Sequence, residues 1–169
     1  MNARRDIEKE QKFLSIVKQH RPMVLKVCYM YANDDNHLKD LYQEVLANLW
    51  QGLDSFEGSA KLSSWIYRVA INTCVSYFRR YDRHSSLMSP IEDVPEIGAE
   101  DSSKTDDLRT MYRMIYSLGK LDKAIILLWL DEYSYDEIAE MTGLSRNNVA
   151  VRLRRIKLKL IDKANQTES

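Results

Sequence analysis

Apolar side chains recur at helical spacing along almost the whole chain, and this pattern limits the available folds more than any other feature. Spacings of three and four residues place such side chains on one face of an α-helix. Two of the clearest rows are Val24, Val27, Cys28, Tyr31 and Leu38, Leu41, Val45, Leu49. No stretch of the sequence shows the strict alternation of a half-buried strand. We therefore expect an all-α fold.

One segment, residues 81–107, interrupts the helical pattern. It carries 2 basic and 8 acidic residues, includes Pro90 and Pro95, and has few apolar side chains, which is typical of a solvated linker. A chain of 169 residues has room for one domain or two small ones. We expect two small helical domains, 1–80 and 108–169, joined by this flexible acidic linker, with about four helices in the first domain. The linker either serves only as a soluble tether or also shields a basic surface.

Composition and patterning exclude several classes of protein. The longest apolar run, Ala124–Leu130, has seven residues, whereas a membrane-spanning helix needs about 20. The first ten residues are charged rather than apolar, so we expect neither a secretory signal nor membrane insertion. Cys28 and Cys74 have neither disulfide-framework nor metal-ligand spacing, which favours the reducing cytoplasm.

The sequence offers no constellation for catalysis or for a cofactor. The three histidines are isolated and there is no glycine-rich phosphate loop, so we expect no catalytic residues, no metal and no cofactor. The acidic run Asp34-Asp35-Asn36 lacks further metal ligands. We expect it instead to cap the helix that follows, because side-chain oxygens accept hydrogen bonds from free backbone N–H groups.

The most specific local signal lies near the C-terminus. Residues 134–142 predict a helix, Gly143-Leu144-Ser145 a tight turn, and 146–161 a second helix, which is the spacing of a helix-turn-helix. Gly143 suits the positive φ of the turn. Ala139 is small enough for the two helices to cross closely, and Ser145 supplies an N-cap for the second helix.

The second of these helices is strongly basic. Between Arg146 and Lys163 seven basic residues stand against one acidic residue, although the whole chain has a formal net charge of +0. Arginine and asparagine on a helix suit base edges and phosphates in a major groove. The alternative is a merely solvated helix face. The candidate DNA contacts are Arg146, Asn147, Asn148, Val151, Arg152, Arg154 and Arg155.

A second nucleic-acid pattern lies in residues 55–80, where a loop leads into a helix. Basic and polar side chains interleave there with aromatic ones, an arrangement that suits single-stranded nucleic acid, since bases stack while arginines follow the phosphates. The polar row is Arg68, Asn72, Ser76 and Arg79, and its aromatic neighbours are Trp65, Tyr67 and Tyr77. We expect Trp65 and Tyr77 themselves to be core side chains.

Three stretches together resemble the extracytoplasmic-function (ECF) class of bacterial sigma-70-type RNA polymerase sigma factors. Residues 40–50 (DLYQEVLANLW) are similar to the family pattern DLxQEvFlxlW, and residues 64–72 (SWIYRVAIN) are similar to tWLyrIArN. Residues 133–160 are similar to the helix-turn-helix region of the family. The three stretches occur in family order and span nearly the whole chain.

The resemblance implies a sigma region 2-like domain at 1–80 and a region 4-like domain at 108–169. It implies as partners bacterial core RNA polymerase and promoter DNA, melted at the −10 element and duplex at the −35 element. The implied polymerase contacts are Asp40, Gln43, Glu44, Asn48 and Trp50. The implied −10 contacts are Phe56, Lys61, Tyr67, Arg68, Asn72, Ser76, Arg79 and Arg80, and the −35 contacts are the seven residues of the basic helix named above. An anti-sigma partner is common in the family, though the sequence names none, and we expect a monomer in solution.

The chain departs from the family pattern in its C-terminal part. Leu121-Asp122 stands where the family often has leucine-proline, and Ala150-Val151 stands where polar or basic side chains are common. Arg154 replaces a residue that is often apolar or aromatic. Because Ala150 and Val151 cannot form bidentate hydrogen bonds, we expect Arg152 and Arg155 to contribute more to DNA binding.

Two other classes remain as alternatives. A stand-alone helix-turn-helix regulator that binds duplex DNA without polymerase leaves the patterns at 40–50 and 55–80 unexplained. A nucleic-acid enzyme, such as a recombinase with a helix-turn-helix tail, lacks a catalytic constellation in this sequence.

Overall fold

The computed structural model describes residues 2–81 and 102–167, except for the side chains of residues 2, 78–81 and 102–105. Within these residues all regular structure is helical, which confirms the all-α expectation. The helices are α1 (Asn2–Tyr31), α2 (Asp35–Gly52), α3 (Leu62–Tyr81), α4 (Ser102–Tyr116), α5 (Lys120–Leu130), α6 (Tyr135–Thr142) and α7 (Arg146–Thr167), with a 3-10 turn at Leu53–Ser55.

The chain divides into two compact units, Met1–Ser86 and Leu87–Ser169. Most of the segment predicted as a linker, residues 82–101, lies outside the described residues. Its last part, from Ser102 onward, forms the first turns of α4. The predicted domain boundaries at residues 80 and 108 therefore stay predictions.

The first unit is a three-helix arrangement in which α1, α2 and α3 all pack against one another. The expectation of about four helices was wrong, because residues 2–31 form a single helix of 30 residues that passes through Pro22. Pro22 is exposed, and its ring removes one backbone donor without ending the helix. The core side chains come from both predicted stripes and from α3, and they include Val24, Val27, Met30, Tyr31, Leu41, Val45, Leu49, Ile66, Ala70 and Cys74.

Local signals set the ends of α2. Asp34 is its N-cap, and a carboxylate oxygen of Asp34 accepts a hydrogen bond of 2.8 Å from the backbone N–H of His37. Nδ1 of His37 accepts in turn from the backbone N–H of Asn33 at 3.1 Å, so two free donors at the helix start are satisfied. The capping role predicted for the Asp34-Asp35-Asn36 run is confirmed at Asp34.

The second unit is built around α5, which packs against α4, α6 and α7. Every residue from Lys123 to Leu128 is buried, so this short apolar helix forms the centre of the core of this unit. Before α5, Leu108, Met111, Ile115 and Leu118 recur at helical spacing and form an apolar stripe. Ile115 and Leu118 are buried, whereas Leu108 on α4 is exposed. The apolar stripe of α4 therefore covers the core only near the C-terminal end of that helix.

The helix-turn-helix has the predicted elements. Ser134 caps α6 and forms a reciprocal capping box with Glu137, Gly143 adopts φ 74° in the turn, and Ser145 Oγ accepts from the backbone N–H of Asn148 at 3.2 Å. Only the length of α7 differs, since it runs to Thr167 rather than ending at Ile161.

The two cysteines meet in the core of the first unit, which their spacing in the sequence did not indicate. Both are free thiols and both are fully buried, Cys28 on α1 and Cys74 on α3. Their mutual hydrogen bond, together with burial, raises the pKa of the Cys74 thiol well above its ordinary value. A protonated buried thiol such as Cys74 is a weak nucleophile, and Cys28 is enclosed beside it, so the pair serves here as packing for α1 against α3.

Candidate nucleic-acid interface

All seven predicted duplex contacts lie on α7, and six of them are exposed to solvent. Val149, Leu153 and Ile156 turn into the core of the second unit and fix the rotation of α7 about its axis. The remaining sides carry the candidates. Exposed among them are Arg146, Asn147, Asn148, Val151, Arg154 and Arg155, whereas Arg152 is only partly exposed.

Two of these arginines form ion pairs within the second unit. Arg146 Nε lies 3.2 Å from Oδ1 of Asp136, with the two side chains 63% and 78% exposed, so water competes strongly for both groups. Arg152 Nη1 donates to Oδ1 of Asp122 at 3.0 Å, and these side chains are only 36% and 17% exposed. Arg152 is therefore held more firmly than Arg146.

Cations farther along α7 contact their own unit. The ammonium group of Lys157 lies 3.8 Å from the ring centroid of Trp129 at the end of α5, a cation–π contact. Lys163 donates a hydrogen bond to the hydroxyl of Ser117 after α4. The basic character of this end of α7 thus contributes partly to packing. Of the exposed arginines on α7, Arg154 and Arg155 form no ion pair with the residues that the structure describes.

The polar row of α3 is exposed as predicted. Arg68, Asn72 and Ser76 are four residues apart and share one solvent-facing side of the helix. The backbone of Arg79 and Arg80 forms part of α3, but the structure does not describe their side chains. Tyr67 is fully buried, so in this structure it packs in the core rather than lining a nucleic-acid surface.

The loop before α3 is folded around an indole ring. The ring of Phe56 lies 5.1 Å from that of Trp65, centroid to centroid, at an interplanar angle of 35°. A Cβ placed on Gly52 would come within 3.0 Å of Cζ2 of Trp65. Phe56 is partly exposed and Lys61 is exposed. Trp65, predicted as a core side chain, is partly exposed and supports this loop.

A cleft of about 330 Å³ opens between α2 and α3. It is lined by Glu44, Asn48, Val69, Asn72, Thr73, Ser76 and Tyr77. At its floor Asn48 Nδ2 donates to Thr73 Oγ1 at 2.9 Å, and that hydroxyl donates to the carbonyl of Val69 at 2.7 Å. Residues assigned by the resemblance to polymerase and to the −10 element therefore share one cavity, which sequence spacing alone did not reveal.

The remaining candidates on α2 are spread along its outer side. Asp40, Gln43 and Trp50 are exposed, whereas Glu44 and Asn48 are partly buried at the cleft. Side chains of α1 lie against Trp50 and leave part of its ring open. Phe13 meets it edge-on at 5.2 Å between ring centroids, and the ammonium of Lys9 lies 4.3 Å from its centroid. Lys9 also forms an ion pair of 2.5 Å with Asp54.

Sequence reasoning did not single out a buried lysine in the second unit. Lys123 lies on α5, is 4% exposed, and its ammonium stands 4.3 Å from the ring centroid of Tyr116. Burial, with a smaller effect of nearby Lys120, lowers the pKa of Lys123 to about 8. The apolar run Ala124–Leu130 that directly follows Lys123 was the signal that could have placed it in the core.

No helix in residues 2–81 or 102–167 has the length and apolarity to cross a lipid bilayer. The same part of the chain brings together no group of three or more His, Cys, Asp and Glu side chains that could hold a metal ion.

Comparison with known proteins gives matches to both units. Residues 16–84 match the family model for Sigma-70 region 2, and residues 108–160 match that for Sigma-70, region 4. The RNA polymerase sigma factor YlaC of Bacillus subtilis is 27% identical over 162 residues, covering 91% of each chain. The ECF RNA polymerase sigma-E factor of Escherichia coli is 29% identical over 163 residues, covering 86% of this chain and 82% of that one.

Solved structures share the fold. The sigma factor RpoE of Bartonella quintana, solved in complex with the anti-sigma factor NepR, superposes with a TM-score of 0.71 at 20% identity and covers 90% of this chain and 94% of its own. CnrH, solved in complex with the cytosolic domain of CnrY, gives a TM-score of 0.66 at 17% identity, covering 93% of this chain and 90% of its own.

Proposed function

Because the chain belongs to the extracytoplasmic-function subfamily of the sigma-70 RNA polymerase sigma factors, we propose that it binds core RNA polymerase, directs it to specific promoters and assists promoter melting. One observation carries the proposal. One unit of the chain presents the exposed polar row of α3 and, before it, the loop that contains Phe56. The other unit presents α7, the arginine-rich second helix of a helix-turn-helix. A stand-alone regulator needs only the second of these surfaces.

The second unit recognises the −35 element as duplex DNA. The N-terminal half of α7 enters the major groove, where Asn147 and Asn148 face base edges while Arg154 and Arg155 contact phosphates or guanine. Val151 is exposed and can contact a thymine methyl group. The Ser145 cap and the Gly143 turn fix the end of α7 that leads into the groove.

The first unit recognises the −10 element as an opened strand. Arg68 follows the phosphates along α3, and Asn72 and Ser76 offer hydrogen-bonding groups at the edge of the cleft between α2 and α3. Lys61 and the partly exposed Phe56 contribute from the loop that precedes α3. Capture of unpaired bases draws the duplex toward the open state by differential binding, and no bond is hydrolysed.

The outer side of α2 binds the core enzyme. Asp40, Gln43 and Trp50 offer charge, an amide and an apolar ring on an exposed surface, and Glu44 and Asn48 border the cleft. Contact of polymerase with α2 therefore acts directly on the rim of the cavity that faces the −10 strand. Its partners place the protein in the cytoplasm, and an anti-sigma factor that covers α2 would block the same contacts. We expect no catalytic step from the chain itself.

Core binding tests the proposal. The purified chain is mixed with bacterial core RNA polymerase and resolved by native gel or size exclusion, together with a Gln43→Ala/Glu44→Ala double variant. Gln51→Ala, an exposed change on the same helix outside the proposed contacts, is the matched control. We expect the wild type and the control to bind core and the double variant to bind more weakly. A wild-type chain that binds duplex DNA but not its cognate core would instead establish a stand-alone regulator.

A further inference from the structure

Arg152 differs from the other candidate DNA contacts on α7 because a shielded carboxylate holds it. Its Nη1 donates to Oδ1 of Asp122 at 3.0 Å, and the Asp122 side chain is only 17% exposed. Asp122 lies in the first turn of α5, the helix at the centre of the second unit. The hydrogen bond thus ties the flank of α7 to the start of α5.

The cost of separating Arg152 from its shielded partner keeps the guanidinium at this position. Moving its guanidinium to a DNA phosphate would leave a carboxylate unpaired where little water reaches it, which is costly for a shielded charge. Exposed pairs such as Arg146–Asp136, in contrast, break at little cost because water replaces the lost partner. Arg146 can therefore turn toward DNA, whereas Arg152 is retained by α5.

We propose, on the premise that α7 binds DNA as described above, that Asp122 is a positioning residue that holds Arg152 against α5 and withholds it from the DNA backbone. Asp122 then sets the strength of duplex binding from a position that touches no DNA. Any uncharged residue at position 122 would release Arg152. The sequence-based expectation was that Arg152 and Arg155 both contribute more to DNA binding than Ala150 and Val151. The proposal differs from it for Arg152, since the structure gives a half-buried partner to Arg152 alone of these two arginines.

The proposal has a measurable electrostatic consequence. An Arg–Asp pair carries no net charge, so it displaces no counterion from DNA. Each phosphate neutralised by a free cation changes the slope of log K against log salt by about −0.9. Asp122→Asn should therefore steepen that slope by about one phosphate contact and tighten duplex binding about fivefold at fixed salt.

The experiment uses the full chain and a short fluorescein-labelled duplex of mixed sequence, with anisotropy followed across a series of KCl concentrations. The variants are Asp122→Asn, Arg152→Ala and their combination. Glu140→Gln is the charge-matched control. Glu140 is exposed on α6, and its substitution removes the same single negative charge as Asp122→Asn. Arg155→Ala reports whether α7 contacts the DNA. Circular dichroism melting verifies that each variant is folded.

We expect Asp122→Asn to bind more tightly with a steeper salt slope and Arg152→Ala to bind like the wild type. The double variant should then match Arg152→Ala, because the effect of Asp122 passes through Arg152. If Glu140→Gln steepens the slope of log K against log salt as much as Asp122→Asn does, the gain in DNA affinity comes from the change in net charge, and the proposal is overturned. A loss of affinity in Arg152→Ala as large as in Arg155→Ala would overturn it as well.

The same variants distinguish a failure of the proposed function from a failure of the role proposed for Asp122. If Arg155→Ala and the wild type bind the duplex alike, α7 is not the DNA contact, and the premise is wrong whatever Asp122 does. If Arg155→Ala weakens binding while Asp122→Asn leaves both affinity and slope unchanged, α7 binds DNA and only the role of Asp122 is wrong.

Discussion

At the scale of single residues, two backbone positions with positive φ show how the second unit joins its helices. Gly143 adopts φ 74° between α6 and α7, and Glu132 adopts φ 65° after α5. The left-handed region is free for glycine but costs an L-residue about 1 kcal/mol. Position 143 therefore has the residue that its conformation favours, whereas position 132 carries a glutamate where glycine would be favoured.

Substitutions at these positions should therefore have opposite effects. Gly143→Ala should lower the free energy of unfolding by about 1 kcal/mol, since a Cβ there meets no atom within 4 Å and only the conformational cost remains. Glu132→Gly should raise it by about 0.5 kcal/mol. Urea unfolding followed by circular dichroism gives both values. A destabilised Glu132→Gly would mean that the carboxylate contributes more than the backbone strain costs.

Lys123 provides a prediction about pH. Its pKa is lowered from 10.5 to about 8 in the folded chain, mainly by burial, so between these values the unfolded chain binds more protons. The free energy of unfolding therefore rises with pH in this interval, by about 2 kcal/mol between about pH 7 and about pH 9.5. Lys123→Met removes the titration and should be more stable than the wild type at about pH 7.

The comparison of the wild type with Lys123→Met isolates this group. Tyr112, whose pKa burial and Asp131 raise, titrates in the same unit, but it is present in both proteins and cancels in the difference. The advantage of the variant should shrink as the pH rises through about 8. A difference that stays constant from neutral to alkaline pH would show that Lys123 has the same pKa in the folded and the unfolded chain, and would contradict this prediction.

At the scale of elements, the helices and their caps could be predicted from neighbouring residues in the sequence. The length of α7 and the contacts between helices could not, because they depend on tertiary packing. The apolar core of α5, the Asp34 cap and the turn at Gly143 all follow from neighbouring residues. The last turns of α7 have no such signal, and they are joined to the unit by the contact of Lys163 with Ser117. The Asp122–Arg152 pair spans 30 positions of sequence and depends on how α5 meets α7.

The same limit applied to the candidate site. Helical spacing alone predicted that Arg68, Asn72 and Ser76 share one exposed side of α3. The cleft that joins Asn72 to Glu44 requires the packing of α2 on α3, which no local pattern specifies. Tyr67 illustrates the converse, because its place beside the polar row in sequence did not reveal that it turns into the core.

The start of α6 offers a prediction at this scale. Ser134 and Glu137 satisfy each other's backbone donors, with the backbone N–H of Ser134 donating to Glu137 Oε2 at 2.8 Å. Ser134→Ala should lower the free energy of unfolding by about 1 kcal/mol, because α6 is short and loses one of few hydrogen bonds at its start. Ser59→Ala, an exposed loop change in the first unit, should have no effect in the same urea titration.

At the scale of the whole molecule, charge is segregated although it sums to +0. Residues 1–80 carry 12 basic and 9 acidic side chains, residues 81–107 carry 2 and 8, and residues 108–169 carry 11 and 8. A neutral chain gains no long-range attraction to DNA from its total charge. Its affinity for duplex DNA must therefore come from local groups such as Arg154 and Arg155.

Removal of those groups should change the salt dependence of binding. Arg154→Ala/Arg155→Ala should flatten the slope of log K against log salt by about two phosphate contacts, or about 1.8 units. Arg21→Ala, an exposed cation on α1, makes the same kind of change outside the proposed DNA surface and should leave the slope unaltered. Anisotropy titrations with a labelled duplex give both slopes. Equal slopes for all three proteins would place the duplex contact elsewhere.

The buried thiol pair has a practical consequence. Because Cys28 and Cys74 are both enclosed and Cys74 is held protonated, maleimide dyes will find no reactive native cysteine on the folded chain. A cysteine introduced at an exposed position of α3 and another on α7 can each carry a fluorophore without deleting either native one. Energy transfer between the two dyes would then follow, in real time and in single molecules, how the distance between α3 and α7 changes when core polymerase is added.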